Sequence, residues 1–242
     1  MERKKFLKAF VFAAAAGPMI IDSCKKDGTS SSTSTSTTSD SSSCIVTATE
    51  VEGPYPYPGG ELTNPLERSD ITESQTGVPL TLTINVVNAD GSCAVVANAR
   101  VDIWHCNKDG YYSGYANQTG ILGTEDYTGK TFLRGYQLTD TSGQVKFVTI
   151  YPGWYSGRTT HIHFEVYVNS VLKKTTQIAF PESINSAVDT STLYASLGVN
   201  PLSNSEDSIL GNSATDLANE TVSLSGSVSA GYTGTYTIGL AL

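Results

Sequence analysis

The chain has 242 residues, a formal charge of −8, 39% apolar residues, and 13 tyrosines against only three histidines. Residues 1–23 carry four basic and two acidic groups, so the remainder carries −10. No basic patch survives to track a phosphate backbone, which argues against a nucleic-acid partner. The length suits one domain with a single sizeable core.

The N-terminus reads as an address. Arg3, Lys4, Lys5 and Lys8 form a basic region, and Ala9 to Ile21 form an apolar stretch shorter than the about 20 residues a membrane span needs. Ile21-Asp22-Ser23-Cys24 resembles a bacterial lipobox, which makes residues 1–23 a lipoprotein-type signal peptide and Cys24 the lipidated residue; the other reading is an ordinary signal peptide with a free cysteine nearby. The basic run also loosely resembles a twin-arginine export signal. Thr29 to Ser43 is almost wholly Ser and Thr, too polar to offset its chain entropy by burial, so residues 24–43 read as a solvated tether. The expected location is therefore outside the cytoplasm, periplasmic or at the cell surface, on a membrane reached through a lipid anchor. There, Cys44, Cys93 and Cys106 would tend to oxidise; Cys44–Cys93 is the favoured pair, with Cys106 buried and reduced.

Residues 44–242 form the predicted domain. Leu80 to Val86 alternates apolar and polar residues as a half-buried strand does, and Asn88-Ala89-Asp90-Gly91 turns. Ala99 to Trp104 alternates again and ends at Asn107-Lys108-Asp109-Gly110. Thr131 to Leu138 and Gln144 to Ile150 read as a hairpin about Thr139–Gly143. His161 to Val168 pairs with Leu172 to Phe180 through Asn169-Ser170, and Gly226 to Leu240 supplies one or two closing strands. A short helical piece fits Ile184 to Leu197. Many short strands between turn signals predict an all-β antiparallel sandwich with long loops.

His161 and His163 stand two apart on a predicted strand, so their imidazoles share a face and can converge on a transition metal, or be two ordinary polar residues. Tyr151-Pro152-Gly153-Trp154-Tyr155-Ser156-Gly157-Arg158 precedes them, in a loop whose backbone is constrained by Gly and Pro. Further upstream lies Trp104-His105-Cys106-Asn107-Lys108-Asp109-Gly110-Tyr111-Tyr112-Ser113. The order Trp-His, Gly-x-Tyr-Ser, Pro-Gly-x-Tyr and Gly-Arg-x-x-His-x-His is far more specific than any one of these.

That order resembles the intradiol ring-cleavage dioxygenases, the family of catechol 1,2-dioxygenase and protocatechuate 3,4-dioxygenase. Glu52-Gly53-Pro54-Tyr55, Arg68-Ser69-Asp70-Ile71, Gly77-Val78-Pro79-Leu80, Phe132-Leu133-Arg134-Gly135 and Thr176-Gln177-Ile178 extend the resemblance over roughly residues 44–240. It implies the intradiol type of β-sandwich, and an Fe(3+) cofactor bound by Tyr112, Tyr155, His161 and His163. Two phenolates are hard anionic donors suited to ferric iron, and a cation lowers a tyrosine's pKa from about 10. It further implies a catechol-type substrate and O2, with Tyr155 leaving the metal to accept a proton and the ring opening to a muconate-type diacid. Arg158 matches an arginine that stabilises substrate charge, and Gln177 a glutamine near the same pocket. Pro54, Tyr55 and Trp154 are candidate substrate-pocket residues; for Tyr55 and Trp154 a core reading is equally open.

His105 reads as a structural histidine beside Trp104, Cys106 as inert core, and Tyr111 as directed to the opposite face from Tyr112. Tyr136, Tyr151 and Tyr167 read as strand aromatics, and Arg134 as a candidate ion-pair partner. The helical dimerisation segment of cytoplasmic members is replaced here by signal and tether, which leaves homo-oligomerisation open. Competing readings are a noncatalytic cell-surface β-sandwich that binds a ligand, and a hydrolase built on the His pair, for which the motif offers no carboxylate ligand.

Overall fold

The structure, a computed structural model, describes residues 44–90 and 92–242. The expected signal peptide (1–23), the expected lipidation at Cys24 and the expected tether (24–43) lie outside the described residues. Cys44 and Cys93 are bonded, with Cα atoms 5.7 Å apart, and Cys106 is a buried free thiol.

The strands in chain order are β1 (Pro79–Asn88), β2 (Ala94–Val95), β3 (Arg100–Trp104), β4 (Gln118–Gly120), β5 (Gly123–Glu125), β6 (Arg134–Leu138), β7 (Gln144–Ile150), β8 (His161–Val168) and β9 (Val171–Ala179). Helix α1 (Glu182–Asp189) follows, then α2 (Ala214–Glu220), β10 (Ser223–Ser227) and β11 (Gly231–Leu240). One sheet runs β10-β11-β1-β2, with β7 also paired to β1; the other runs β6-β3-β8-β9. A small β4-β5 hairpin stands apart from both.

The core lies between the two sheets because each alternating strand turns its apolar residues inward. Leu80, Leu82, Ile84 and Val86 of β1 meet Val101 and Ile103 of β3 and Ile162, Phe164 and Val166 of β8 in one buried cluster. A side chain of this size gains about 1.5–3 kcal/mol from full burial, which fixes register as well as stability, since a one-residue slip would expose the whole set.

Three expectations need correction. First, β6 and β7 do not form a hairpin: β6 pairs with β3 and β7 with β1, so the turn at Asp140–Gly143 carries the chain from one sheet to the other. Turn chemistry is local and does not specify which sheet the next strand joins. Second, the strand predicted from Thr131 begins only at Arg134, because Leu133 adopts a left-handed backbone (φ 57°). Third, the sandwich is not wholly antiparallel, since β1 and β11 pair in parallel from Leu80↔Tyr232 to Asn88↔Leu240. The β8–β9 pair and the two closing strands occur as expected, whereas α2 and the β4-β5 hairpin were not anticipated. Among the described residues no helix is long and apolar enough to cross a membrane.

Candidate metal centre

Strand β8 is buried on both faces. Ile162, Phe164 and Val166 point into the core, so His161, His163, Glu165 and Tyr167 occupy the outer face, against the covering 51–67 and 107–113 segments. The register sets Trp104 and Gln177 on either side of His163. The Trp104 indole stacks on the His163 ring at 5.0 Å with planes 5° apart, which fixes the imidazole plane.

Two loops bring tyrosines to this face. Tyr112 follows a turn in which Asn107 Oδ1 accepts from the backbone N–H of Asp109 and Tyr111, and its own N–H donates to Gln118 Oε1 at 2.7 Å. Gly110 (φ 87°) is required there, because a Cβ would collide with the Trp154 carbonyl; this packs the loop of Tyr112 onto the loop of Tyr155. Gly53 (φ 74°) similarly lets the 51–55 segment cross the histidine, where a Cβ would sit 3.0 Å from His163 Cε1.

Four polar atoms converge. His161 Nε2 lies 3.0 Å from His163 Nε2, Tyr112 Oη 3.2 Å from His163 Nε2, and Tyr155 Oη 3.3 Å from His161 Nε2. His161 Nδ1 donates to the Thr159 carbonyl at 2.6 Å, which leaves its Nε2 as a bare lone pair turned inward. Burial lowers the His161 pKa to about 3 and drives that of His163 well below its ordinary value, so both imidazoles are neutral. Burial likewise raises the Tyr155 phenol to about 12 and the Tyr112 phenol well above its ordinary value. The His161 lone pair, the neighbouring His163 Nε2 and two phenols fit a cation, which would satisfy all four and displace the phenol protons. Among the described residues there is no group of three His, Cys, Asp or Glu that could hold a metal.

Arg158 borders the centre. Its Nε donates to Asp207 Oδ2 at 2.8 Å, its Nη2 to Gln177 Oε1 at 2.5 Å, and its Nη1 lies 3.4 Å from His161 Nε2. Burial alone would raise the Asp207 carboxyl, but hydrogen bonds from Arg158 and the Thr159 N–H hold it below the usual range. Gln177 Nε2 donates to the Val51 carbonyl at 2.7 Å, so Gln177 links Arg158 to the covering segment.

The remaining candidates fall in different places. Tyr55 is half-buried and stacks on Tyr112 at 4.8 Å; Pro54 is exposed at the rim. Trp154 is buried and donates to the Gly198 carbonyl at 2.9 Å, which ties it to the segment after α1. His105 lies just past the end of β3, where Nδ1 is 2.8 Å from the Cys106 carbonyl and Nε2 2.7 Å from Thr149 Oγ1. Tyr111 lies in a loop and not in a strand, yet its hydroxyl leaves the centre and donates to the Gly123 carbonyl. Arg134 donates to the carbonyls of Ser113 and Tyr55 and joins no carboxylate in an ion pair among the described residues, so it clamps the two loops. Asp207 and Asn200 were missed: they are lone polar residues in a polar loop, with no periodicity to single them out.

The two-layer sandwich thus gathers two phenols and two imidazoles on the outer face of one sheet. The sequence profile of the family described as Dioxygenase (Dioxygenase_C) matches residues 51–196, and the chain belongs to that family. It is similar to catechol 1,2-dioxygenase 1 of Acinetobacter lwoffii, at 30% identity over 137 residues, or 49% of this chain and 41% of that protein. The match thus spans about two fifths of that relative's length. An intradiol ring-cleavage dioxygenase from Tetranychus urticae superposes with a TM-score of 0.69 at 27% identity, covering 81% of this chain and 95% of that one. A 3-chlorocatechol 1,2-dioxygenase from Rhodococcus opacus 1CP shares the fold, with TM-score 0.51 and 22% identity over 80% of this chain and 72% of its own.

Proposed function

We propose that the chain is a ferric intradiol dioxygenase that cleaves a catechol-type diol between its hydroxylated carbons, placing both atoms of O2 in a muconate-type diacid. Tyr112, Tyr155, His161 and His163 would hold the iron. The observation that carries this reading is the linked approach of two phenol oxygens and two imidazole nitrogens, with 3.0 Å between the two Nε2 atoms and a phenol oxygen 3.2 or 3.3 Å from each. When bound, ferric iron supplies an electron-accepting Lewis acid that makes an aromatic diolate open to attack by O2 at a ring carbon.

The protein's own groups divide the remaining work. Tyr112 is fully buried and pinned by its backbone N–H and by the Tyr55 ring, so it is a fixed donor. Tyr155 is half-buried, which leaves it freer to swing aside. Away from a cation its oxygen keeps a proton, since burial raises that phenol to about 12; Tyr155 Oη is thus suited to receive a proton from the incoming diol. Arg158 places a fixed positive charge at the edge of a dry site, where charge developing on the substrate is stabilised most strongly. Pro54, Tyr55 and Trp154 are proposed as pocket walls. The basic and apolar N-terminal pattern supports export with a lipid on Cys24, and a Cys24→Ser variant should lose incorporation of labelled fatty acid.

The test is an O2-uptake assay with a panel of catechols under labelled O2. The expected product is a diacid carrying two labelled oxygen atoms; an iron-loaded protein that consumes no O2 with any catechol would overturn the reading.

A further inference from the structure

We infer that Asp207 is a positioning residue for Arg158, setting the direction in which that guanidinium presents its free nitrogen to the substrate; the inference rests on the ring-cleavage reading. A guanidinium is planar, so fixing two of its nitrogens fixes where the third points. Here Nε is held by Asp207 Oδ2 at 2.8 Å and Nη2 by Gln177 Oε1 at 2.5 Å, and Nη1 is the nitrogen left facing the four-donor centre. The same Asp207 oxygen accepts from the Thr159 backbone N–H at 2.8 Å, so one atom grips both the side chain of Arg158 and the backbone leading to His161.

Asp207 is itself immobile. It is 1% exposed, and its other oxygen accepts from the N–H groups of Ile209 and Leu210 at 2.9 and 3.1 Å. The same stretch of chain holds the turn at two further points: Asn200 Nδ2 donates to the Arg158 carbonyl at 2.9 Å, and Thr159 Oγ1 to Asn204 Oδ1 at 2.5 Å. Segment 200–210 therefore clamps Arg158 from behind while leaving its front edge to the site. A mere ion pair would need only Nε and the carboxylate; the added grip on the Thr159 amide couples guanidinium orientation to the start of β8.

The experiment is a double-mutant cycle on the iron-loaded protein, reading kcat, iron content, thermal midpoint and anaerobic catechol binding by the visible spectrum. Asp207→Asn should lower kcat about 10–100-fold, the range for residues that orient a working side chain, with iron content and catechol binding within about twofold of wild type. In an Arg158→Gln background the same change should add no further loss, because nothing remains to be positioned. If Asp207→Asn fails to fold, Asp207→Glu keeps the charge but displaces the carboxylate by one methylene and should show the same loss in kcat. The inference is overturned if the folded variant keeps wild-type kcat, if its loss only tracks lost iron, or if the loss persists undiminished beside Arg158→Gln. A wild-type protein inactive on every catechol would overturn the ring-cleavage reading and this inference together, whereas an active wild type with an unaffected Asp207 variant overturns this inference alone.

Discussion

Strands β1 and β8 carry the same alternation and do opposite things with it. On β1, Leu80, Leu82, Ile84 and Val86 face the core while Thr81, Thr83 and Asn85 are partly open to solvent. On β8 the inward residues are equally apolar, but the polar face of His161, His163, Glu165 and Tyr167 is buried as well. Polar residues on a solvated face need no partner, whereas polar residues on a covered face need one or are costly. Each polar group on β8 is accordingly hydrogen-bonded or turned toward the common centre, apart from His163 Nδ1, which has no partner among the described residues.

The sharpest way to break this contrast is to truncate one outer-face residue of β8 and one inner-face residue of β1. His163→Ala should abolish stoichiometric iron binding and reduce catechol-dependent O2 uptake to background, checked by metal analysis and an oxygen electrode. Leu82→Ala, on the inner face of β1, should destabilise the fold by about 2–5 kcal/mol in urea titration while the folded fraction keeps its iron and activity. A His163→Ala protein with full iron would show that β8 is buried for packing alone.

A pH series sharpens the comparison next. Glu61, in the segment that covers the outer face, is 3% exposed; its Oε1 accepts from the Tyr57 N–H, and Oε2 has no partner among the described residues. Burial, reinforced by nearby Asp102 and Glu165, raises its carboxyl from 4.5 to about 7. The folded state then holds a proton that the unfolded state has released, so its contribution to stability is complete below about 4.5 and is lost as pH rises through about 7. Thermal midpoints measured across that interval should fall less steeply in Glu61→Gln than in wild type; equal slopes would contradict the assignment. The smallest effect belongs to the solvated face of β1: Thr83→Val should change stability by no more than about 0.5 kcal/mol by the same denaturation assay.

Much of this was legible in the sequence because it rests on periodicity and on short motifs. Alternation in Leu80–Val86 and the two-residue spacing of His161 and His163 determine faces directly, and Asn169-Ser170 marks a hairpin whose left-handed residues lie at those two positions. What was not legible depends on partners distant in the chain. Nothing local tells β7 to leave β6 for β1, or β11 to lie parallel to β1, since those choices maximise burial across the whole sandwich. Asp207 escaped for the same reason: its meaning comes from Arg158, 49 residues away.

The most direct test of the central claim is the visible spectrum of the purified protein loaded with ferric salt, beside Tyr112→Phe and Tyr155→Phe. If both phenols and both imidazoles share one ferric ion, the wild type takes up one iron per chain and turns red-brown through tyrosinate-to-iron charge transfer, and each variant shifts or weakens that band. A wild-type protein that stays colourless with ample iron, or a band indifferent to both substitutions, would contradict it.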